Sequence, residues 1–306
     1  MVLELQEVSV EYPKPTKADL AQARSADIHS KDPMLTVEEL NRREAVLRAV
    51  AASAGTLALD AFVSRKPGDF TLKGRQDFLT EADEAVENHV RAVLADAFPS
   101  DGILGEEAGG ELAERLWVID PIDGTANFAR GIPHFCISIA FCDQGETLMG
   151  VIFNPASEEF YFARKGQGAT KNRVPLAAAA TDSIANASVE IGWSPRVEST
   201  QYLAAQQRVL DEGANIRRGA SGALAIAWVA EGRTDGYAEY YMNAWDCLAG
   251  LLMVREAGGV TGAYPAEQVE LLTGGEIFAA APGIAAAFSK AMRIAIAPTE
   301  RKGEAA

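Results

Sequence analysis

The chain is poor in three residue types that would each carry a class of chemistry. It has three cysteines in 306 residues, Cys136, Cys142 and Cys247. The number is odd and no C-x-x-C pair occurs, which argues against a disulfide framework and a structural zinc site. The three histidines, His29, His89 and His134, are scattered and have no basic cluster beside them, which argues against a phosphohistidine mechanism. Positive charge is also short, with 28 Lys and Arg against 43 Asp and Glu and a net charge of −15. A surface of that sign repels polyanions, so direct nucleic-acid binding and an anionic membrane are not expected. No run of about 18 apolar residues stands out and the first residues carry no charged-then-apolar signal, so the expected location is cytoplasmic.

What is present is ample for a core: 48% of the residues are apolar, enough for one large domain or two packed ones. The most informative stretch is Trp117 to Phe128, W-V-I-D-P-I-D-G-T-A-N-F. An apolar strand meets Asp120, Pro121 cannot donate a ladder hydrogen bond, and Asp123 follows beside Gly124, so the strand is expected to end at an acidic turn. Asp120 and Asp123 could share a hard cation through oxygen ligands, and Gly124-Thr125, opening a helix, would offer backbone N–H groups to an anion. The plainer alternative is that Asp120 ends a strand and Asp123 caps a helix. A calcium loop does not fit, because the acidic residues lie three apart and Gly131 stands where a final Glu ligand belongs.

Along the chain, residues 1–35 are expected to form an N-terminal extension. Thr36 with Glu39 opens a long first helix, and Thr80 with Asp83 a second, where Asp83 could serve simply as a capping carboxylate. Gly105-Glu106-Glu107 is expected in a loop. Alternating patterns over 135–142, 147–153 and 160–163 predict an antiparallel meander. Beyond about residue 185 strands and helices alternate, with Asp246 expected to cap the helix from Cys247 to Ala257. The division predicted is an α+β half over 36–184, an α/β half over 185–298 and a polar tail over 299–306.

These motifs together resemble one family. Gly105-Glu106-Glu107, the D-P-I-D-G-T-x-N-F core, and Trp245-Asp246-x-x-Ala249-Gly250 ahead of Glu256-Ala257-Gly258-Gly259 are similar to the three signatures of the inositol monophosphatase family. Asp77-x-x-Thr80-x-Ala82-Asp83-x-x-x-Glu87 resembles its upstream element. The resemblance implies a layered αβαβα sandwich of the inositol monophosphatase and fructose-1,6-bisphosphatase type. It also implies a phosphomonoesterase that uses two or three Mg²⁺ ions, is inhibited by lithium and forms a homodimer. By position it makes Glu106, Asp120, the Ile122 carbonyl, Asp123 and Asp246 the metal ligands. Gly124 and Thr125 become the phosphate-holding amides; Asp83 with the Thr125 hydroxyl orients the attacking water, so Asp83, Thr125 and Glu106 form the catalytic set.

The shared motifs hold metal and phosphate and so cannot choose the leaving alcohol. Inositol monophosphate is the leading expectation; histidinol phosphate, fructose 1,6-bisphosphate and adenosine 3′,5′-bisphosphate are the alternatives. Glu239 matches a carboxylate that binds substrate hydroxyls, although it could equally pair with an ammonium. Ser221, Gly222 and Ala223 match a small-residue turn lining the pocket. A regulatory role with a protein partner in RNA metabolism is the expectation from a different class.

Overall fold

A computed structural model describes residues 35–298 apart from 67, 69, 75 and 76. The expected extension, except Leu35, and the expected tail lie outside the described residues, as does His29.

Helix α1 (Val37–Ser64) starts where the sequence places it. The Thr36 hydroxyl accepts from the Glu39 N–H at 3.2 Å, and the Glu39 carboxylate accepts from the Thr36 N–H at 2.8 Å. Each satisfies a donor that the helix start leaves free. A short hairpin, β1 (Thr71–Gly74) with β2 (Asp77–Leu79), leads to α2 (Glu81–Ala97), which opens with the predicted Thr80–Asp83 capping box. Sequence patterning did not resolve the hairpin, whose strands are three and four residues long.

The first sheet follows: β3 (Gly102–Gly105), β4 (Arg115–Asp123), β5 (Cys136–Asp143), β6 (Glu146–Asn154), β7 (Glu159–Arg164), β8 (Ala169–Lys171) and β9 (Val174–Pro175), in that spatial order. Only β3 and β4 run parallel, so the predicted meander forms the middle of the sheet. Between β4 and β5 lies the short α3 (Thr125–Arg130). The second half contributes β10 (Ser188–Ile191), α4 (Ser199–Asp211), β11 (Asn215–Arg217), α5 (Gly222–Glu231), β12 (Gly236–Met242), α6 (Ala244–Glu256), β13 (Val260–Thr261), α7 (Glu270–Thr273), β14 (Gly275–Ala280) and α8 (Ala285–Met292). Its sheet has the order β11-β10-β12-β14-β13, parallel through β11-β10-β12 and antiparallel at β14.

Period-2 alternation decides the layering. Trp117, Ile119, Ile137, Ile139 and Phe141 project to one face of the first sheet and are covered by Leu47, Val50 and Ala54 of α1 and Val86, Val90 and Leu94 of α2. Leu116, Val118, Ala140 and Cys142 project to the other face and pack with α5 and α6, against which Tyr237, Ile277 and Ala279 of the second sheet also pack. Val189, Ile191, Ala238 and Phe278 face away, toward Ala205 and Val209 of α4 and Phe288 and Met292 of α8. The result is helix, sheet, helix, sheet, helix: the αβαβα sandwich expected from the family resemblance, with both sheets sharing the central core on α5 and α6.

Helix α1 contains an 18-residue window of mean hydropathy 1.5, long and apolar enough by composition to cross a membrane. Alanine makes much of that value, and the small residues serve packing. A Cβ on Gly55 would stand 2.2 Å from the Phe153 ring, so a side chain there would push α1 off the sheet.

Candidate active site

Strand β4 does not end at Asp120. It continues through Pro121 to Asp123, with Asp120 opposite Ser138 and Asp123 opposite Cys136. Three steps on one strand are therefore matched by two on the other, which is a bulge of one extra residue. Proline is tolerated there because no ladder donor is needed, and the Ile122 N–H turns instead to the Asp120 Oδ1 at 2.9 Å. The bulge has a chemical consequence. In a regular strand, residues three apart point to opposite faces; the extra residue restores parity, so Asp120 and Asp123 both face α6.

Asp246 meets them from α6. It is not the helix cap that the sequence suggested: Asn243 is the cap, and Asp246 sits three residues later, accepting from the Asn243 N–H at 3.2 Å. Ligand oxygens of Asp120, Asp123 and Asp246 all lie within 4.8 Å of one another. The three converging carboxylates have no neutralising Lys or Arg in ion-pair range among the described residues and could together hold a hard cation. Burial, then the charges of Glu106, Asp246 and Asp123, hold the Asp120 carboxyl well above the usual carboxylate range. Burial also raises Asp123, and burial followed by Asp123 pushes Asp246 up to about 7. Without a cation the site keeps protons that an exposed aspartate would lose.

Glu106 follows β3, its N–H bonded to the Ile119 carbonyl at 3.1 Å, and lines the same cavity of about 290 Å³ as Asp123, Gly124, Thr125 and Asp246. Glu87, one turn beyond Asp83 on α2, had appeared only as part of a motif. It is 1% exposed and accepts from the N–H groups of Glu107 (2.8 Å) and Ala108 (3.0 Å) and from the Arg91 Nε (2.7 Å). It thereby clamps the Glu106 loop. Glu87→Ala would orphan those donors at about 1–3 kcal/mol and is expected to raise the Mg²⁺ concentration needed for half-maximal activity. An unchanged requirement would contradict this role.

Asp83 makes the capping contacts that the sequence suggested and also reaches Thr125. Its Oδ2 caps α2, accepting from the Thr80 N–H (2.8 Å) and Oγ1 (2.6 Å), while its Oδ1 lies 3.3 Å from the Thr125 hydroxyl. That hydroxyl is 2.9 Å from the Ile122 carbonyl, leaving the carbonyl a second lone pair. Gly124 precedes α3 at φ 94°, a left-handed conformation that suits glycine, and α3 begins at Thr125 as expected.

Ser221, Gly222 and Ala223 turn out to hold Asp123. The Ser221 hydroxyl and the N–H groups of Gly222 (3.2 Å) and Ala223 (2.9 Å) all donate to its carboxylate, tying the end of β4 to the start of α5. Glu239 lines the cavity, 8% exposed, and accepts from the Tyr237 hydroxyl; burial pushes its carboxyl up to about 8. Glu190, Trp193, Arg196 and Arg218 line the cavity too and had no sequence signature. Cys247 is buried, and its thiol is raised well above the usual range by burial, as suits a packing residue.

The chain is similar to known proteins over most of its length. The chain is 40% identical over 247 residues to an inositol-1-monophosphatase of Rhizobium meliloti (strain 1021), covering 77% of this chain and 92% of that one. It is 39% identical over 217 residues to the Nus factor SuhB of Xylella fastidiosa (strain Temecula1 / ATCC 700964), covering 70% and 79%. The solved inositol monophosphatase of Anabaena (Nostoc) sp. PCC 7120 superposes with a TM-score of 0.72 at 31% identity, covering 84% of this chain and 97% of that one. The model described as the inositol monophosphatase family matches residues 39–296. Sequence, layering and the bulged acidic strand thus converge: the chain belongs to the inositol monophosphatase family.

Proposed function

We propose that the protein is a Mg²⁺-dependent phosphomonoesterase releasing a small polyol from its phosphate ester, with inositol monophosphate the leading substrate. The observation that carries the reading is the β4 bulge, which sets two buried aspartates beside Asp246 and directly ahead of the α3 start. Asp120, Asp123, Asp246, Glu106 and the Ile122 carbonyl would hold the cations. Bound Mg²⁺ supplies charge neutralisation for the phosphate and lowers the pKa of water. The N–H groups of Gly124 and Thr125, where α3 opens, would receive phosphate oxygens. Asp83 and the Thr125 hydroxyl orient the attacking water, and Asp83 accepts its proton. Ser221, Gly222 and Ala223 act by fixing Asp123. The R. meliloti relative's name supports inositol monophosphate; the alternative esters share the same metal and phosphate demands.

A cation requirement has a testable consequence for stability. Asp246 has a folded-state pKa of about 7, above the unfolded value. Stability from its protonated form is therefore complete below about pH 4 and is lost as pH rises through about 7; Asp120 and Asp123 act in the same direction. Mg²⁺ should offset the loss, so the gap in Tm between Mg²⁺-saturated and chelator-treated protein should be larger at about pH 8 than at about pH 5.5. An equal gap at both pH values, or none, would contradict the assignment.

A second reading, a regulatory partner in RNA metabolism, is supported by relatives named Nus factor SuhB. The two readings separate on turnover: a purely regulatory protein would bind its partner but release no phosphate.

A further inference from the structure

One side-chain amide joins the turn that opens α3 to the loop that holds Asp123. Asn127 lies in the first turn of α3 at 8% exposure. Its Nδ2 donates to the His134 carbonyl at 2.8 Å, just ahead of β5, and to the Gly219 carbonyl at 2.9 Å, in the loop between β11 and α5; the Ala220 carbonyl lies 3.4 Å away. Three acceptors around one terminus require the NH₂ group there, because an amide oxygen in that place would face only oxygens. Gly124 touches two of the same carbonyls: a Cβ on it would stand 3.0 Å from the His134 oxygen and 3.4 Å from that of Ala220. Helix α3 has six residues, too few to hold its own direction. Besides Asn127, Phe128 anchors it, edge-on to the rings of Phe62 and Phe135.

The loop beyond those carbonyls is the one that grips Asp123. Ala220 has φ 61°, a left-handed conformation that a residue with a Cβ holds only where its surroundings impose it. Directly after it come the Ser221 hydroxyl and the N–H groups of Gly222 and Ala223, all donating to the Asp123 carboxylate. We infer that Asn127 is a positioning residue for the cation. By holding the Gly219–Ala220 bend it keeps three donors on Asp123, and through the same bonds it sets the Gly124–Thr125 turn against the carboxylates. The inference rests on the phosphomonoesterase reading and adds to it a residue that does not itself line the cavity. When the amide is lost, the bend relaxes toward the ordinary region of φ and the donors leave Asp123. The carboxylate then turns from the direction it shares with Asp120 and Asp246, and the cation is held less tightly.

Titration calorimetry of Mg²⁺ into the chelator-stripped full chain tests this without any turnover. Asn127→Leu keeps the size and burial of the side chain and removes its donors. Ala220→Val leaves Asn127 in place but penalises the left-handed bend, at a position exposed enough to take the added methyl groups. Each should raise the Mg²⁺ Kd by about tenfold, the scale of losing a partner that orients a ligand. Ala220→Gly, which enters the bend freely, should leave the Kd unchanged. Arg43→Ala supplies the comparison for a looser fold, since it should lower Tm but leave the Kd at the wild-type value. An unchanged Kd in Asn127→Leu would overturn the inference, as would an equal rise in Ala220→Gly or in Arg43→Ala. If Asn127→Leu does not fold, Ala220→Val decides alone, and wild-type affinity there overturns the inference. Variants of unchanged affinity beside a wild type that binds Mg²⁺ and releases phosphate sink this inference alone. A wild type that binds no Mg²⁺, or releases no phosphate with it, sinks the phosphomonoesterase reading beneath it.

Discussion

Asp120→Asn is expected to lower kcat at saturating Mg²⁺ by at least ~10³-fold, which corresponds to ~4 kcal/mol of lost transition-state stabilisation. Asp120 is 1% exposed, projects from the bulged strand toward Asp246, and has Glu106, Asp123 and Asp246 as charged neighbours. The amide has the same shape but removes one of the negative charges that attract the cation. Its Oδ1 can still accept from the Ile122 N–H, which preserves the bulge. The fold should therefore survive, and the metal-free variant should melt no lower than wild type, because a like-charge repulsion has been relieved. Circular dichroism and phosphate release on one sample would separate the two effects. Unchanged turnover would remove Asp120 from the site, while lost turnover with lost structure would show that the carboxylate serves folding.

Arg43→Ala should cost about 3–5 kcal/mol in denaturant unfolding. Arg43 lies on α1 at 5% exposure, and its guanidinium grips Asp101, whose side chain is fully buried, through contacts of 2.9–3.2 Å. The indole N–H of Trp117 donates to the same carboxylate at 3.0 Å, and the guanidinium lies over the rings of Phe98 and Phe141 at 4.6 and 5.0 Å. Truncating Arg43 leaves Asp101 charged, buried and served by one neutral donor. Replacing both partners by an isosteric apolar pair, Arg43→Met with Asp101→Leu, should recover much of the loss, because no unpaired charge remains. A cost below about 1 kcal/mol for Arg43→Ala would show that water reaches Asp101 and that this junction of α1, α2 and the sheet is looser than its contacts indicate.

The contrast between these two residues shows what a single sequence reveals. Asp120 was legible because its chemistry is written locally: strand, proline, second carboxylate and glycine within five residues. The capping boxes at Thr36 and Thr80, the meander and the alternating second half were legible for the same reason, since each is a pattern of near neighbours. The bulge itself was not, because it is defined by pairing with β5, and an apolar run ending in D-P looks like a strand end whether or not the ladder resumes. Asp246 was found but given the wrong local role, since an Asn at 243 and an Asp three residues later offer two possible caps. Arg43 meets Asp101 across 58 residues, and Glu190 reaches the cavity only through its register with Tyr237. Neither has a neighbour in sequence that betrays it. Ser221 shows a related limit: its motif suggested a place at the pocket, which it lines, but only the folded contact shows that it bonds the Asp123 carboxylate.

The most direct test of the central claim is phosphate release by chelator-stripped protein during a Mg²⁺ titration with inositol 1-phosphate and p-nitrophenyl phosphate. The account predicts no release without the cation and saturable release with it, restored after each cycle of chelation and readdition. Release that is equally fast in excess chelator would contradict it, as would no release of either ester at any Mg²⁺ concentration.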